Sequence, residues 1–433
     1  MSLPAYPAYR DSGVPWLGQV PAHWEVMPLK QAARLSTDRA ADRSFPVGLE
    51  HIESWTGRFI EAETEFEGDG VAFRPGDILF GKLRPYLAKA WLADRPGEAV
   101  GDFHVIRSLP PHVPEFLQRV LLSREAISLI DGSTYGSKMP RASWEFIGSL
   151  AMPFPPPAEQ RAIAVFLDRE CGKIDAVVAE QERLIALLKE KRQAVISHAV
   201  TKGLAPTAPM KDSGVPWLGR VPAHWEVRKL VTGLREPPCY GVLVPDFDES
   251  GVPLLRINDI KNGAASRETL ITITPALSAQ YARTIVKSGD IALSVVGTIG
   301  EVVTIDASLE GVNLSRALAR LQPSDDLSAD FLRLLFQSDA FQHFVDLTCV
   351  GTAQRVLNMS ALSAFQLAFP PPAEQAAVSA RLEERIHTLG LLITESERAI
   401  ALLKERRAAL ISAAVTGKID VRTLVPAEEA AAA

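Results

Sequence analysis

The stretch Asp11–Val26 reads DSGVPWLGQVPAHWEV, and residues 212–227 read DSGVPWLGRVPAHWEV, so that fifteen of sixteen positions agree. A second repeated segment, FPPPAEQ, begins at Phe154 and again at Phe369. Self-similarity along most of a chain indicates an internal repeat. The sequence therefore predicts a tandem duplication of one structural plan. We find no correspondence between about residues 30–75 and 230–288, so two similar frames are expected to carry two different variable parts.

Each copy ends in a segment with the signals of a long helix. Prolines at Pro155–Pro157 and Pro370–Pro372 can open a helix, and Gly203 and Gly417 can end it. Apolar residues recur between these limits every three or four positions and match in register. We expect the two helices to pack on each other as a coiled coil through Ile174, Val178, Leu184, Leu188, Val195, Leu389, Leu392, Ile400, Leu403 and Leu410. The alternative is that each helix packs on its own globule.

The rest of the chain is typical of α+β, or mixed α/β, globules, because short strand patterns such as Ile78–Leu83 alternate with short amphipathic segments. The predicted order has five parts. These are a first globular domain at 1–153, a long helix at 154–203, a second globular domain at 204–368, a second long helix at 369–417 and a tail at 418–433.

Composition excludes several classes of protein. The chain has 433 residues, of which 47% are hydrophobic and 23% charged, as in ordinary folded proteins of two or more domains. No apolar run approaches the ~20 residues that span a bilayer, so we expect no membrane association and a cytoplasmic protein. Three isolated cysteines fit a reducing compartment. The net charge of −6 argues weakly against a chain that binds nucleic acid alone.

The duplicated DSGVPWLGxVPAHWEV segment, together with PPPAEQ at the start of each long helix, resembles the specificity subunit of type I restriction-modification systems. The resemblance covers nearly the whole chain. It implies that each globule is a target recognition domain that reads one half of a bipartite DNA sequence. It also implies an antiparallel coiled coil that separates the globules, sets the spacer of the target and docks methyltransferase subunits.

The same resemblance implies the partners and cofactors. The expected partners are double-stranded DNA, two methyltransferase subunits and, in a complete complex, translocase/nuclease subunits. S-adenosylmethionine, ATP and Mg²⁺ are expected on those partner subunits and no cofactor or metal in this chain. The chain itself is expected to be non-catalytic.

Candidate DNA contacts are basic or amide residues in glycine-containing loops beside predicted strands. Arg, Gln and Asn can read bases, whereas Lys mostly neutralises phosphate. The segment GSKMPR of the first copy corresponds to GTAQRV of the second, since each lies at the same distance before its FPPP motif. The candidates are Lys82, Arg84, Lys138 and Arg141 in the first copy, and Arg256, Lys261, Asn262, Gln354 and Arg355 in the second.

Two other functions stay open at the level of sequence. Asp246, Asp259 and Lys261 fit the loose pattern of a metal-dependent nuclease. The acidic charge would also suit a protein-protein scaffold without a DNA role. Gly76–Lys82 nearly matches a phosphate-binding loop, but Leu83 stands where a Ser or Thr should ligate Mg²⁺, and we expect a turn followed by a strand there.

Overall fold

The computed structural model describes residues 3–39, 45–63, 70–136, 138–261, 263–349 and 355–426. The chain divides into two compact units. The first comprises residues 1–182 and 398–433, and the second comprises residues 183–397. Both boundaries fall inside the long helices, so each unit holds one globule, the beginning of one long helix and the end of the other.

The first unit contains eleven short strands and four short helices within its described residues, and the first long helix begins in it. In chain order they are β1 (Tyr9–Asp11), β2 (Gln19–Pro21), β3 (Glu25–Pro28), α1 (Leu29–Ala32), β4 (Ala33–Ser36), β5 (Pro46–Val47), β6 (Val71–Phe73), β7 (Asp77–Gly81), β8 (Ala90–Leu92), β9 (Gly97–Ala99), β10 (Phe103–Ser108), α2 (Pro114–Leu121), α3 (Arg124–Gly132), α4 (Trp144–Ser149), β11 (Ala151–Phe154) and the long helix α5 (Pro157–Lys202).

The second unit has the same number of strands in its described part, followed by the second long helix. They are β12 (Met210–Asp212), β13 (Arg220–Pro222), β14 (Glu226–Lys229), β15 (Cys239–Tyr240), β16 (Phe247–Leu255), β17 (Ile271–Ile273), α6 (Pro275–Gln280), β18 (Ile291–Ser294), β19 (Val302–Thr304), β20 (Asn313–Leu314), β21 (Leu318–Leu321), α7 (Ala329–Phe336), α8 (Asp339–Thr348), α9 (Met359–Ala364), β22 (Gln366–Phe369) and the long helix α10 (Pro372–Val415).

A four-stranded antiparallel sheet forms the centre of each globule. Its strand order is β4-β10-β7-β8 in the first unit and β15-β21-β18-β19 in the second, so the duplication extends beyond the repeated motifs. A three-stranded sheet accompanies each one, but the strand orders, β5-β9-β6 and β17-β16-β20, arise from different parts of the two chain segments. The variable sequence therefore builds its own sheet on a common core.

Two strands of the repeated frame close each globule at its base. Strand β3 pairs with β11 in the first unit, and β14 pairs with β22 in the second, both antiparallel. The amide of Leu29 donates to the carbonyl of Leu150 at 2.9 Å, and the amide of Leu230 donates to that of Phe365 at 2.7 Å. Residues 29–150 and 230–365 are thus insertions whose two ends are fixed side by side.

The long helices begin at the last proline of each triplet, Pro157 and Pro372, and left-handed glycines follow them. Within the first unit, Asp175 pairs with Arg407 at 2.9 Å and Glu182 with Lys404 at 3.6 Å. Because the residue number rises along α5 as it falls along α10, the helices run antiparallel there.

The helix contacts differ from prediction at two positions. Leu184 is 41% exposed and Leu392 is 50% exposed. The buried stripe passes instead through the neighbouring Ile185 and Ile393, which cluster with Leu188 and Leu389 in the second unit. One residue corresponds to about 100° of helix rotation, so two adjacent apolar residues cannot both face the same groove.

The other predicted interface residues are buried or half-buried, although some of them contact globules. Val195 packs against the second core and Leu410 against the first. Four of the rest, Ile174, Val178, Leu188 and Leu389, are buried, and Ile400 and Leu403 are half-buried.

The segment predicted as a tail, 418–433, is built into the first globule over its described part. Ile419, Val421 and Val425 are buried in the first core, and the amide of Asp420 donates to the carbonyl of Pro4 at 2.8 Å. These apolar residues lose their exposed surface there, which stabilises the packed arrangement. No helix in the described part of the chain is long and apolar enough to cross a bilayer.

A carboxylate at the start of each long helix joins the two repeated motifs. In the first unit, Glu159 accepts hydrogen bonds from the indole Nε1 of Trp24 at 3.0 Å and from Tyr6, and it contacts His23 Nε2 at 2.8 Å. Burial raises the pKa of the Tyr6 hydroxyl, so Tyr6 stays a donor. In the second unit, Glu374 makes the equivalent contacts at 3.0 and 2.8 Å.

Removal of this carboxylate should lower the free energy of unfolding more in the first unit than in the second. Glu159 is 6% exposed and Glu374 is 29% exposed. Because Glu159→Ala leaves more buried donors unpaired, we expect it to lower the free energy of unfolding by roughly 2–4 kcal/mol, and Glu374→Ala by about half as much. Urea unfolding of the full chain, with hydrogen exchange to locate the loss, measures both. An equal or larger loss for Glu374→Ala would contradict this.

Candidate nucleic-acid interface

Two loops meet beside the central sheet of the first unit. The strand-end loop (residues 82–88) follows β7, and the return loop (residues 135–141, of which residue 137 is not described) precedes α4. The amide of Arg84 donates to the carbonyl of Pro140 at 2.8 Å, and that of Ala142 donates to Lys82 at 2.9 Å. The structure therefore brings together Lys82, Arg84, Lys138 and Arg141, which the sequence nominated from separate segments.

The second unit repeats this junction. The amide of Gly297 donates to the carbonyl of Arg355 at 3.0 Å, and that of Leu357 donates to Val295 at 2.8 Å. The isolated bridge Val296–Val356 corresponds to the bridge Leu83–Arg141 of the first unit. The same backbone arrangement thus presents different side chains in the two units.

In each unit, an ion pair links the strand that leads into the junction to its neighbour in the central sheet. Asp77 pairs with Arg107 at 2.7 Å, and Asp290 pairs with Arg320 at 2.6 Å. The hydrogen bonds that the Arg107 guanidinium donates to Asp77 raise the pKa of Arg107. The glycine that precedes Asp77, Gly76, is left-handed with φ of 85°, and residues Asp77–Gly81 form a buried strand. The expected turn and strand are confirmed, and the segment is not a phosphate-binding loop.

The cationic candidates of the first unit differ in whether a carboxylate already pairs with them. Arg141 makes two hydrogen bonds of 2.9 Å to Asp102, which raise the pKa of the Arg141 guanidinium. Lys82 lies 3.9 Å from the same carboxylate. Arg84 and Lys138 are exposed and have no ion pair among the described residues. Arg141 therefore acts mainly as a brace in this structure, whereas Arg84 and Lys138 can take an anion.

The second-unit candidates are less concentrated. Arg256 is engaged by Asp259, at 2.8 and 3.0 Å, and Arg355 pairs with Asp346 at 2.8 Å. Lys261 is exposed and has no ion pair among the described residues. The remaining two candidates, Asn262 and Gln354, lie outside the described residues.

The nuclease alternative has no support in the described residues. Both carboxylate oxygens of Asp259 accept hydrogen bonds from the Arg256 guanidinium, and Oδ2 also accepts one from the backbone amide of Arg256. In the described part of the chain, no group of three or more His, Cys, Asp or Glu is placed to hold a metal ion.

Two residues that the sequence does not single out support the return loop. One is Asp102, whose role becomes visible only when β10 is paired with β7. The other is His104, whose Nε2 lies 2.9 Å from the carbonyl oxygen of Ala142. Burial lowers the pKa of His104. A neutral ring that donates from Nε2 fits this contact.

Arg84 adopts a left-handed backbone conformation, and the residue at the matching position of the second unit is a glycine. Its φ is 49°, and Gly297 at the matching junction has φ of 76°. A side chain in the left-handed region costs roughly 1–2 kcal/mol. A Cβ at Gly297 would meet no atom within 4 Å, so the neighbours do not require glycine there. The first unit thus accepts strain to place a guanidinium at this point, which is typical of functional loops.

Comparisons with known proteins show which proteins this chain resembles. Residues 245–397 match the family model described as the type I restriction modification DNA specificity domain. The specificity subunit of the type I restriction enzyme EcoBI of Escherichia coli is 27% identical over 323 residues, which cover 71% of this chain and 68% of that protein.

Solved structures show the same fold. A chain from a type I restriction-modification system superposes with a TM-score of 0.72 at 19% identity, covering 92% of this chain and 98% of its own length. The HsdS subunit of Thermoanaerobacter tengcongensis gives a TM-score of 0.51 at 19% identity, with the same coverage. The predicted mixed α/β fold class with two long helices is confirmed.

A matched pair of variants separates the strain at Arg84 from its charge. Both Arg84→Gly and Arg84→Ala remove the guanidinium, but only glycine relieves the left-handed backbone. We expect Arg84→Gly to be more stable than Arg84→Ala by about 0.5–1 kcal/mol in urea unfolding. Both should weaken binding of double-stranded DNA, measured with the expected methyltransferase partners, to the same extent. Undiminished binding by either variant would show that Arg84 makes no DNA contact.

Proposed function

We propose that this chain is a specificity subunit of a type I restriction-modification system and that it selects the DNA sequence on which partner methyltransferase subunits act. Each globule would read one half of a bipartite target. The long helices would set the spacer between the halves and dock the partners.

One observation carries the assignment of reading to the two globules. The same junction of two loops occurs in both units, at Arg84 with Pro140 and at Gly297 with Arg355. A repeated backbone that presents different side chains suits the recognition of two different half-sites, as a pseudo-symmetric dimer would achieve. Arg84 and Lys138 would supply anion contacts in the first half.

The proposal assigns no catalytic step to this chain. S-adenosylmethionine, ATP and Mg²⁺ would be used by partner subunits, and the chemistry would take place there. Since those partners act on cellular DNA, the chain would work in the cytoplasm.

The charge of the chain supports a requirement for partner subunits in DNA binding. A net charge of −6 and ion-paired arginines such as Arg141 and Arg256 leave few cations to displace counterions from DNA. We expect weak binding by the isolated chain and tight, specific binding once two methyltransferase subunits supply further phosphate contacts. Translocase/nuclease subunits would join the same assembly in a complete system.

Electrophoretic mobility shift with reconstituted subunits tests this function. Duplexes drawn from host DNA are offered to the chain alone, to the methyltransferase subunits alone and to the mixture. The proposal predicts sequence-selective retention by the mixture only. Retention of no duplex by the mixture would favour a scaffold without a DNA role, and metal-dependent nicking by the chain alone would favour a nuclease.

Exchange of one variable part should alter one half of the target. Residues 30–150 lie between the paired strands β3 and β11, so an equivalent segment from a relative can replace them without disturbing this strand pair. We expect the exchanged chain to direct methylation to a sequence with one new half and one unchanged half. Methylated-site mapping measures this. A change in both halves would contradict independent reading by the two globules.

A further inference from the structure

Three exposed apolar side chains lie on the two loops that carry Arg84 and Lys138. Tyr135 is 63% exposed, Met139 is 48% exposed and Tyr86 is 46% exposed. A cluster of large apolar side chains on the surface of a soluble protein usually marks a contact with a partner. Binding of DNA phosphates by Arg84 and Lys138 would not require these apolar side chains to be exposed.

Backbone pairing holds these side chains in place. Tyr135 and Arg141 exchange hydrogen bonds of 3.2 and 3.1 Å, which close the return loop with Lys138 and Met139 between them. Arg141 also bridges to Leu83, next to the cation Arg84. The loop is therefore a closed turn joined to the strand-end loop.

Tyr86 is fixed from the other side of the junction. It lies in a single 3₁₀ turn, Pro85–Leu87, flanked by left-handed Arg84 and Ala88. The amide of Leu87 donates to the carbonyl of Arg84 at 2.9 Å. A tight turn of this kind orders its backbone before any partner arrives, so less conformational entropy is lost on binding.

The strand-end loop of the second unit shows that the frame does not force the exposure of Tyr86. Its loop runs from Leu293 to Val302, which is one residue shorter than the loop from Phe80 to Ala90. The apolar residues that it carries are Val295, which is buried in the second core, and Val296 and Ile299, which pack against that core. The exposed ring of Tyr86 therefore belongs to what differs between the two strand-end loops, as expected of a residue that reads sequence.

We propose that Tyr86, Tyr135 and Met139 form an apolar wedge that enters a groove of the first half-site and contacts the bases, while Arg84 and Lys138 bind phosphates. This inference rests on the proposed function and deepens it. Cations beside an apolar cluster are complementary to duplex DNA, in which charged phosphates surround a stack of largely apolar bases. Apolar side chains at DNA interfaces contact thymine methyl groups or insert between base steps.

Base contacts by the wedge and phosphate contacts by the cations should have different effects on DNA binding. Contacts to phosphates supply affinity for any duplex and a dependence on salt, whereas contacts to bases supply discrimination. Truncation of the wedge should thus reduce the preference for the first half-site. The affinity for unrelated duplexes and the salt dependence of that affinity should not change.

The test uses the complete methyltransferase complex and a duplex library with randomised bases. Bound duplexes are sequenced for the wild-type chain and for Tyr86→Ala, Tyr135→Ala and Met139→Ala. Tyr135→Phe retains the ring and removes only the hydroxyl. Ile60→Ala is the matched control, since Ile60 is 40% exposed on the first unit but lies in neither loop.

We expect each tyrosine truncation to lower the preference for the first half-site by about 10- to 100-fold, the range for loss of a base contact with an aromatic ring. Met139→Ala should act in the same direction. The second half-site, Tyr135→Phe and Ile60→Ala should stay at wild-type preference.

Three results would overturn the wedge. They are an unchanged first half-site in the alanine variants, an equal loss on selected and unrelated duplexes, and a loss of methyltransferase binding in size-exclusion chromatography, which would mark a protein docking patch. A wild-type complex that selects no sequence would overturn the proposed function itself, and the wedge with it. That outcome is recognised without any variant.

Discussion

The hydrogen bonds at the start of each long helix are the constraint on which the rest of the structure depends. Glu159 and Glu374 accept from the tryptophans of the repeated His-Trp motif and so tie each helix to the frame of its globule. The glutamine that follows each of them binds the loop before α2 or α7, with Gln160 Oε1 accepting from Val113 and Gln375 Oε1 from Ser328. The duplicated motifs are therefore contact partners of one another.

This constraint explains how variation and constancy coexist in one chain. The paired strands β3 and β11, or β14 and β22, bring the ends of each variable part together at the frame. Any insertion that forms the central sheet and the loop junction can be accommodated between them. Different sequences can then be presented at the junction without a change in the attachment of the helices.

Repeats, breakers and apolar spacing were sufficient to predict the duplication, the mixed α/β fold and the helix limits. They could not place single side chains. Leu184 and Ile185 are adjacent and both apolar, so periodicity alone could not tell which one faces inward. The pairing of Arg141 with Asp102 links residues 39 positions apart, and a single sequence carries no signal for it. The segment after Gly417 was predicted as a tail, because the burial of its apolar residues depends on contacts with the first core, which the local sequence does not reveal.

Methylated-site mapping of host DNA, with and without this chain, tests the central claim most directly. Two globules that read independently on a common frame should produce one bipartite set of methylated sequences, with two unlike halves and a fixed spacer. That set should disappear when the chain is deleted and return when it is restored. An unchanged methylation pattern after deletion would contradict the account.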